Sequence, residues 1–213
     1  MFKVLAAALM LVDHIGLVFF PQYVWIRWIG RLSMPLFAHA IATGYYYSKR
    51  NGHLGKYARN LIIFSIASQL PYMFMLTVSG RRPGLNIGFT WVLALAILAA
   101  LDQPKSWWWA GALAAIAASI WLPISYGLYG IVYPLVFYLA WQSKALSVAG
   151  QVIINVAEAM LIGPIFQALA IVSAIPATFI KDRRWQVPKS FFYLFYPVHL
   201  AVLAGLRVLL ETT

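Results

Sequence analysis

Asp13 and His14 stand in the middle of the first apolar stretch of the chain. A carboxylate and an imidazole are costly to hold in hydrocarbon, so ionisable residues inside such a stretch point to function. A neutral imidazole exchanges a proton near neutral pH, which suits His14 to act as a general base on an amine or hydroxyl. Lys3 precedes His14 by eleven positions. On a helix ~11 residues make almost three turns, so the two side chains share a face about 16 Å apart along the axis. A cation at the rim and a base well inside describe a slot for a long molecule with an anionic end. A coenzyme A thioester has that shape. Lys3 reads equally as a snorkelling topology signal.

Other polar side chains fall inside apolar stretches. Adjacent helical residues point about 100° apart, so Asp13 cannot orient its own neighbour. Arg31, at similar depth on the returning stretch, is its expected partner, either as a structural ion pair or in the chemistry. Arg31, His199 and Gln69 are candidates to stabilise a tetrahedral oxyanion. Lys49 and Arg50 join Lys3 and Gln69 as candidates to hold the anionic co-substrate. His39, Asn86, Glu158 and Tyr196 are candidates to line an acceptor site. Gln69 and Asn155 read equally as interhelical hydrogen-bonding groups. His/Glu pairs at helical i, i+3 or i+4 spacing are absent, so no metal is expected. With no cysteine, disulfides, thiolate ligands and an S-acyl intermediate are excluded.

The surrounding chain is an all-α polytopic membrane protein by composition. Of 213 residues 63% are hydrophobic, and mean hydropathy is +0.80. Soluble domains are about half apolar. Nine spans of roughly 20 residues are predicted, with eight to ten allowed, in a single bundle over residues 1–213. They cover residues 2–20, 25–47, 57–78, 85–101, 107–122, 126–141, 145–162, 165–180 and 191–210. Residues 1–12 resemble a signal peptide, but Asp13-His14 interrupts it and no cleavage site follows, so a retained first helix is expected.

The net charge of +11 is concentrated in short connections such as residues 48–56 and 181–185. That is the positive-inside pattern and predicts a cytoplasmic N-terminus in a bacterial inner membrane, not nucleic-acid binding. Arg81 and Arg82 break the pattern, because nine spans place them outside. Tryptophans at span ends read as an interfacial belt.

Four segments together resemble the TraX family: Leu11-Val12-Asp13-His14-Ile15-Gly16, Ile29-Gly30-Arg31-Leu32-Ser33-Met34-Pro35-Leu36-Phe37-Ala38, Ile66-Ala67-Ser68-Gln69-Leu70-Pro71-Tyr72 and Phe192-Tyr193-Leu194-Phe195-Tyr196-Pro197-Val198-His199-Leu200. Leu85-Asn86-Ile87-Gly88-Phe89-Thr90 fits the same pattern. The likeness extends over nearly the whole chain. It implies acetylation of a pilin N-terminus, and a relation to the transmembrane acyltransferase-three group, whose first helix carries a basic residue, ten residues and a histidine. Lys3 and His14 match that spacing. The resemblance implies that His14 acts in transfer and Lys3 in binding acyl-CoA, although lysine lacks the bidentate fork of arginine.

The expected activity is transfer of an acetyl or longer acyl group from cytoplasmic acyl-CoA to an amine or hydroxyl of a peptide, lipid or sugar. A small transporter or permease also needs buried charge and broken helices, and a structural partner in an assembly is a third reading.

Overall fold

A computed structural model describes residues 2–103, 108–161, 169–179 and 188–212. They form helices α1 (Phe2–Phe19), α2 (Val24–Arg31), α3 (Ser33–Arg50), α4 (Leu54–Val78), α5 (Ile87–Leu101), α6 (Trp108–Trp121), α7 (Gly127–Leu139), α8 (Lys144–Leu161), α9 (Ile171–Phe179) and α10 (Lys189–Thr212). The basic run 181–185, Trp107 and the boundary between the seventh and eighth predicted spans lie outside the described residues.

Among the described residues, two helices are long and apolar enough to cross a membrane: Leu54–Val78 and Ser190–Thr212. Others are shorter. At ~1.5 Å per residue the 15-residue α5 reaches about 22 Å. Nine full-length spans are therefore not what the helix lengths display.

The predicted second span is two helices. Leu32 closes α2 with its N–H on the carbonyl of Ile29, and α3 starts at Ser33 with Pro35 in its first turn. A proline there costs no helical hydrogen bond, because the first N–H groups of a helix have no internal acceptor. The short α2 is two-faced. Gly30 is buried with Arg27 and Arg31 beside it, whereas Trp25 and Trp28 face outward.

Successive long helices reverse direction, so the bundle has two ends. Lys49 reaches Asp102 at 2.8 Å, tying the end of α3 to the end of α5. Lys144 at the start of α8 lies over Phe179 at the end of α9. These mark the end at which α1 begins. At the far end, the connection after α4 meets the connection after α6 through a short parallel bridge, Leu85 to Ile124. Leu85 N–H donates to Pro123 O at 2.8 Å, and Ser125 N–H to Leu85 O at 3.1 Å. Small residues set the close approaches: Ala6, Ala38 and Ala42 are fully buried between α1 and α3, letting the helix backbones draw together.

Candidate functional site

Near the far end, α1, α2, α3, α4, α5, α8 and α10, with the connections after α4 and α6, surround a cavity of about 600 Å³. That lies in the range of small-molecule sites. Its wall includes Asp13 and His14, four arginines (Arg27, Arg31, Arg81 and Arg82), Glu158, and the tyrosines Tyr72, Tyr126 and Tyr196.

His14 is buried and does not stand alone. α10 packs against both α1 and α4, bringing His199 Nε2 to 2.8 Å from His14 Nδ1. His199 Nδ1 is 2.6 Å from the carbonyl oxygen of Phe195, one turn earlier. A carbonyl only accepts, so Nδ1 of His199 carries a proton. With both rings neutral, His199 Nε2 is then a lone pair, and His14 Nδ1–H donates to it. The chain Phe195 O, His199, His14 leaves Nε2 of His14 as the basic nitrogen. Tyr196 stands against both rings, with centroids 6.1 Å from His14 and 5.7 Å from His199.

Asp13 pairs with Arg27, a partner that the depth argument does not name. Arg27 Nε lies 3.6 Å from Asp13 Oδ1. The cause is how closely α1 and α2 approach: a Cβ placed on Gly30 would fall 2.6 Å from the Asp13 backbone Cα. At that crossing Asp13 lies against Gly30, with Arg27 within ion-pair reach. Arg31 lies over the Tyr126 ring, 4.9 Å from its centroid. Tyr126 has φ 62°, a left-handed conformation uncommon outside glycine. It precedes Gly127, also at positive φ, in the sharp turn that opens α7.

Gln69 and Asn86 build the mouth without lining the cavity. The Gln69 amide donates to Gly84 O at 2.8 Å, and its oxygen accepts from the Asn86 backbone and side chain. Asn86 caps α5 by accepting from Gly88 N–H and also donates to Ser65 O. Ser125 fastens the opposite lip, with Tyr72 at 2.8 Å and Leu85 O at 2.9 Å. Glu158 reaches the wall from late in α8.

The other expected residues are placed elsewhere. Lys3 is exposed at the start of α1 and does not line this cavity. Lys49 is held by Asp102 at the same end, with Arg50 exposed beside it. The same Asp102 oxygen accepts from Tyr45 at 2.5 Å and Tyr138 at 2.7 Å. Burial pushes the Asp102 carboxyl up, but hydrogen bonds from Lys49, Tyr45 and Tyr138 outweigh it and hold the group below its usual range. The bond to Asp102 also raises the Lys49 ammonium, burial opposing. His39 packs edge-on to Phe137 at 5.1 Å and stacks on Trp141, away from the cavity wall. Among the described residues no group of three His, Asp or Glu side chains is placed to hold a metal.

Arg27, Arg81, Arg82, Tyr72 and Tyr126 carry the cavity's polarity without having been assigned to it from sequence. One signal was legible: Arg27 and Arg31 are spaced i, i+4 and therefore share a face.

Comparison with known proteins decides the family. The chain matches the family described as "TraX protein" over residues 1–207. It belongs to the TraX family. It is 29% identical over 222 residues to "Protein TraX" of Escherichia coli, covering 97% of this chain and 86% of the relative. It is 25% identical over 235 residues to "Probable fimbrial assembly protein FimC, serogroup H1" of Dichelobacter nodosus, covering 98% of this chain and 95% of that relative. No solved structure matches the chain.

Proposed function

We propose that this TraX-family protein is a multi-pass acyltransferase of the bacterial inner membrane, serving fimbrial or pilin assembly. It would move an acetyl group from cytoplasmic acyl-CoA to an amine or hydroxyl, such as a pilin N-terminus. The observation that carries this reading is His14 on the wall of the cavity, paired with His199. A base held in one tautomer by a second, backbone-anchored ring is the arrangement that general base catalysis requires.

In the step proposed, the acceptor X–H surrenders its proton to Nε2 of His14 as X attacks the thioester carbonyl carbon. The new X–C bond produces a tetrahedral oxyanion, and the C–S bond then breaks. Coenzyme A leaves as the thiolate and takes the proton from His14. His199 spends both nitrogens on His14 and Phe195, and Gln69 is engaged at the mouth; Arg31 and Arg27, on the cavity wall with His14, are the groups assigned to stabilise the oxyanion.

The polytopic reading draws support from the inverted polarity of the surface. Leu70, Trp121 and Met160 are 77%, 86% and 79% exposed, while Asn86, Thr90 and Gln151 are fully buried. A soluble fold reverses that order. The basic residues Lys49, Arg50, Lys56 and Lys144 share the end at which α1 begins, which would be cytoplasmic. Lys3 is then the entry group for the donor, and the acceptor comes through the arginine-lined mouth opposite.

The test is transfer from radiolabelled acetyl-CoA to a pilin N-terminal peptide in reconstituted membranes. Transfer at the wild-type rate by a folded His14→Ala protein would refute the assignment.

A further inference from the structure

We propose that the far-end mouth is a phosphate-binding site, formed by Arg27, Arg31, Arg81 and Arg82. It holds a doubly charged phosphate or diphosphate group of a molecule arriving from the side opposite Lys3. The site shares Arg27 and Arg31 with the proposed transfer site, and its rim arginines Arg81 and Arg82 are its own.

Three observations lead there. First, four guanidiniums share one cavity wall with two carboxylates, Asp13 and Glu158. The cavity therefore holds a surplus of two positive charges, which matches a dianion better than a single carboxylate. Second, not all of the guanidiniums are consumed by the fold. Arg27 Nε and its neighbour Asp13 Oδ1 are both buried without a hydrogen-bond partner, a costly state that a ligand oxygen on Arg27 would relieve. Arg81 and Arg82 are exposed at the rim and form no ion pair among the described residues. Third, topology does not account for them. Lys49, Arg50, Lys56 and Lys144 gather at the opposite end, where the inside-positive pattern suffices, so the four arginines answer to something else. Planar guanidinium forks bind phosphate oxygens bidentately.

The mouth is built to keep that geometry. The bridge between Leu85 and Ile124, with Gln69, Asn86 and Ser125 hydrogen-bonded around it, fixes both connections. α2 adds a second feature: its inner face carries Arg27 and Arg31, while Trp25 and Ile29 are exposed on the outer face. Such a helix lies in a membrane interface, at the depth of lipid phosphates. The phosphate can thus come from a lipid that carries a terminal phosphate monoester or diphosphate, or from a soluble phosphate ester.

The experiment uses the full chain in phosphatidylcholine nanodiscs and titrates inorganic pyrophosphate at constant ionic strength by calorimetry. Wild type binds, Lys56→Gln binds equally, and the Arg81→Gln/Arg82→Gln double variant binds roughly tenfold or more weakly, the loss of about 1.4 kcal/mol. Both rim arginines are exposed, so the fold survives; unchanged circular dichroism and melting confirm it. Doping the discs with phosphatidic acid, whose headgroup is a phosphate monoester, separates the two sources. Competition with pyrophosphate identifies a lipid headgroup, and its absence a soluble ester. No binding by wild type, or undiminished binding by the double variant, overturns the proposal.

Discussion

His14 Nδ1 lies 2.8 Å from His199 Nε2, across 185 residues of sequence. Because Phe195 O claims the remaining proton of His199, that contact orients His14 and selects its tautomer. Removing His14 should lower acyl transfer by roughly 100-fold or more, the ordinary contribution of a general base. His199→Ala should lower kcat by about 10-fold or more while leaving KM for acetyl-CoA unchanged, because it frees the His14 ring without removing the base. Transfer should rise with pH along an acid limb as His14 loses its proton, and the His199 variant should displace that limb. A limb identical to wild type would show that His199 only fills space.

Lys3 and the arginine mouth make separable predictions. If the donor enters beside Lys3, Lys3→Ala raises KM for acetyl-CoA several-fold with kcat unchanged, and pyrophosphate binding at the mouth stays as in wild type. Equal KM values in steady-state assays would remove Lys3 from donor binding.

The chain has no cysteine, so single cysteines report its orientation without background. Gln22 is exposed in the connection between α1 and α2, and Asn51 in the one between α3 and α4. A membrane-impermeant maleimide should label Gln22→Cys in intact cells, and Asn51→Cys only after lysis. The reverse pattern would invert the topology and bring the arginine mouth to the cytoplasm.

The Lys49–Asp102 clamp has a defined pH window. The Asp102 carboxyl is depressed in the fold, so its contribution is complete above its ordinary pKa of ~3.9 and disappears as pH falls through the lower folded value. Lys49 is raised, so its contribution is complete below its ordinary value of ~10.4 and is lost as pH climbs through the higher folded one. Thermal unfolding of wild type and Asp102→Asn should therefore differ most between about pH 4 and pH 10 and converge in acid. Losing the three-way acceptor should cost about 1–2 kcal/mol at neutral pH. A difference that persists unchanged in acid would mean that the carboxylate charge is irrelevant.

Gly30 tests the α1–α2 crossing. Its added methyl would meet Asp13 backbone and side chain, so Gly30→Ala must push the helices apart at roughly 1–3 kcal/mol. The shift also breaks the 3.6 Å Asp13–Arg27 contact. Melting that matches wild type would mean that the crossing is looser than described.

Composition and periodicity sufficed for the helical class, for the two long apolar helices and for the suspicion attached to Asp13, His14 and Arg31, because a charge among apolar residues is conspicuous in one dimension. The motif segments sufficed for the family. They failed where geometry depends on a second chain segment. The break at Leu32 hides in an unbroken apolar run. Asp13 meets Arg27 only because Gly30 lets two backbones touch, and a glycine does not announce its partner. His199 could be noticed but not joined to His14, since their contact arises from α10 lying against α1. Lys3 and His14 do share a helix, yet the cavity on His14 leads toward Arg81 and Arg82. Sequence records which side chains are expensive to bury. Which of them face each other, and from which end they are reached, was decided by the packing of distant helices.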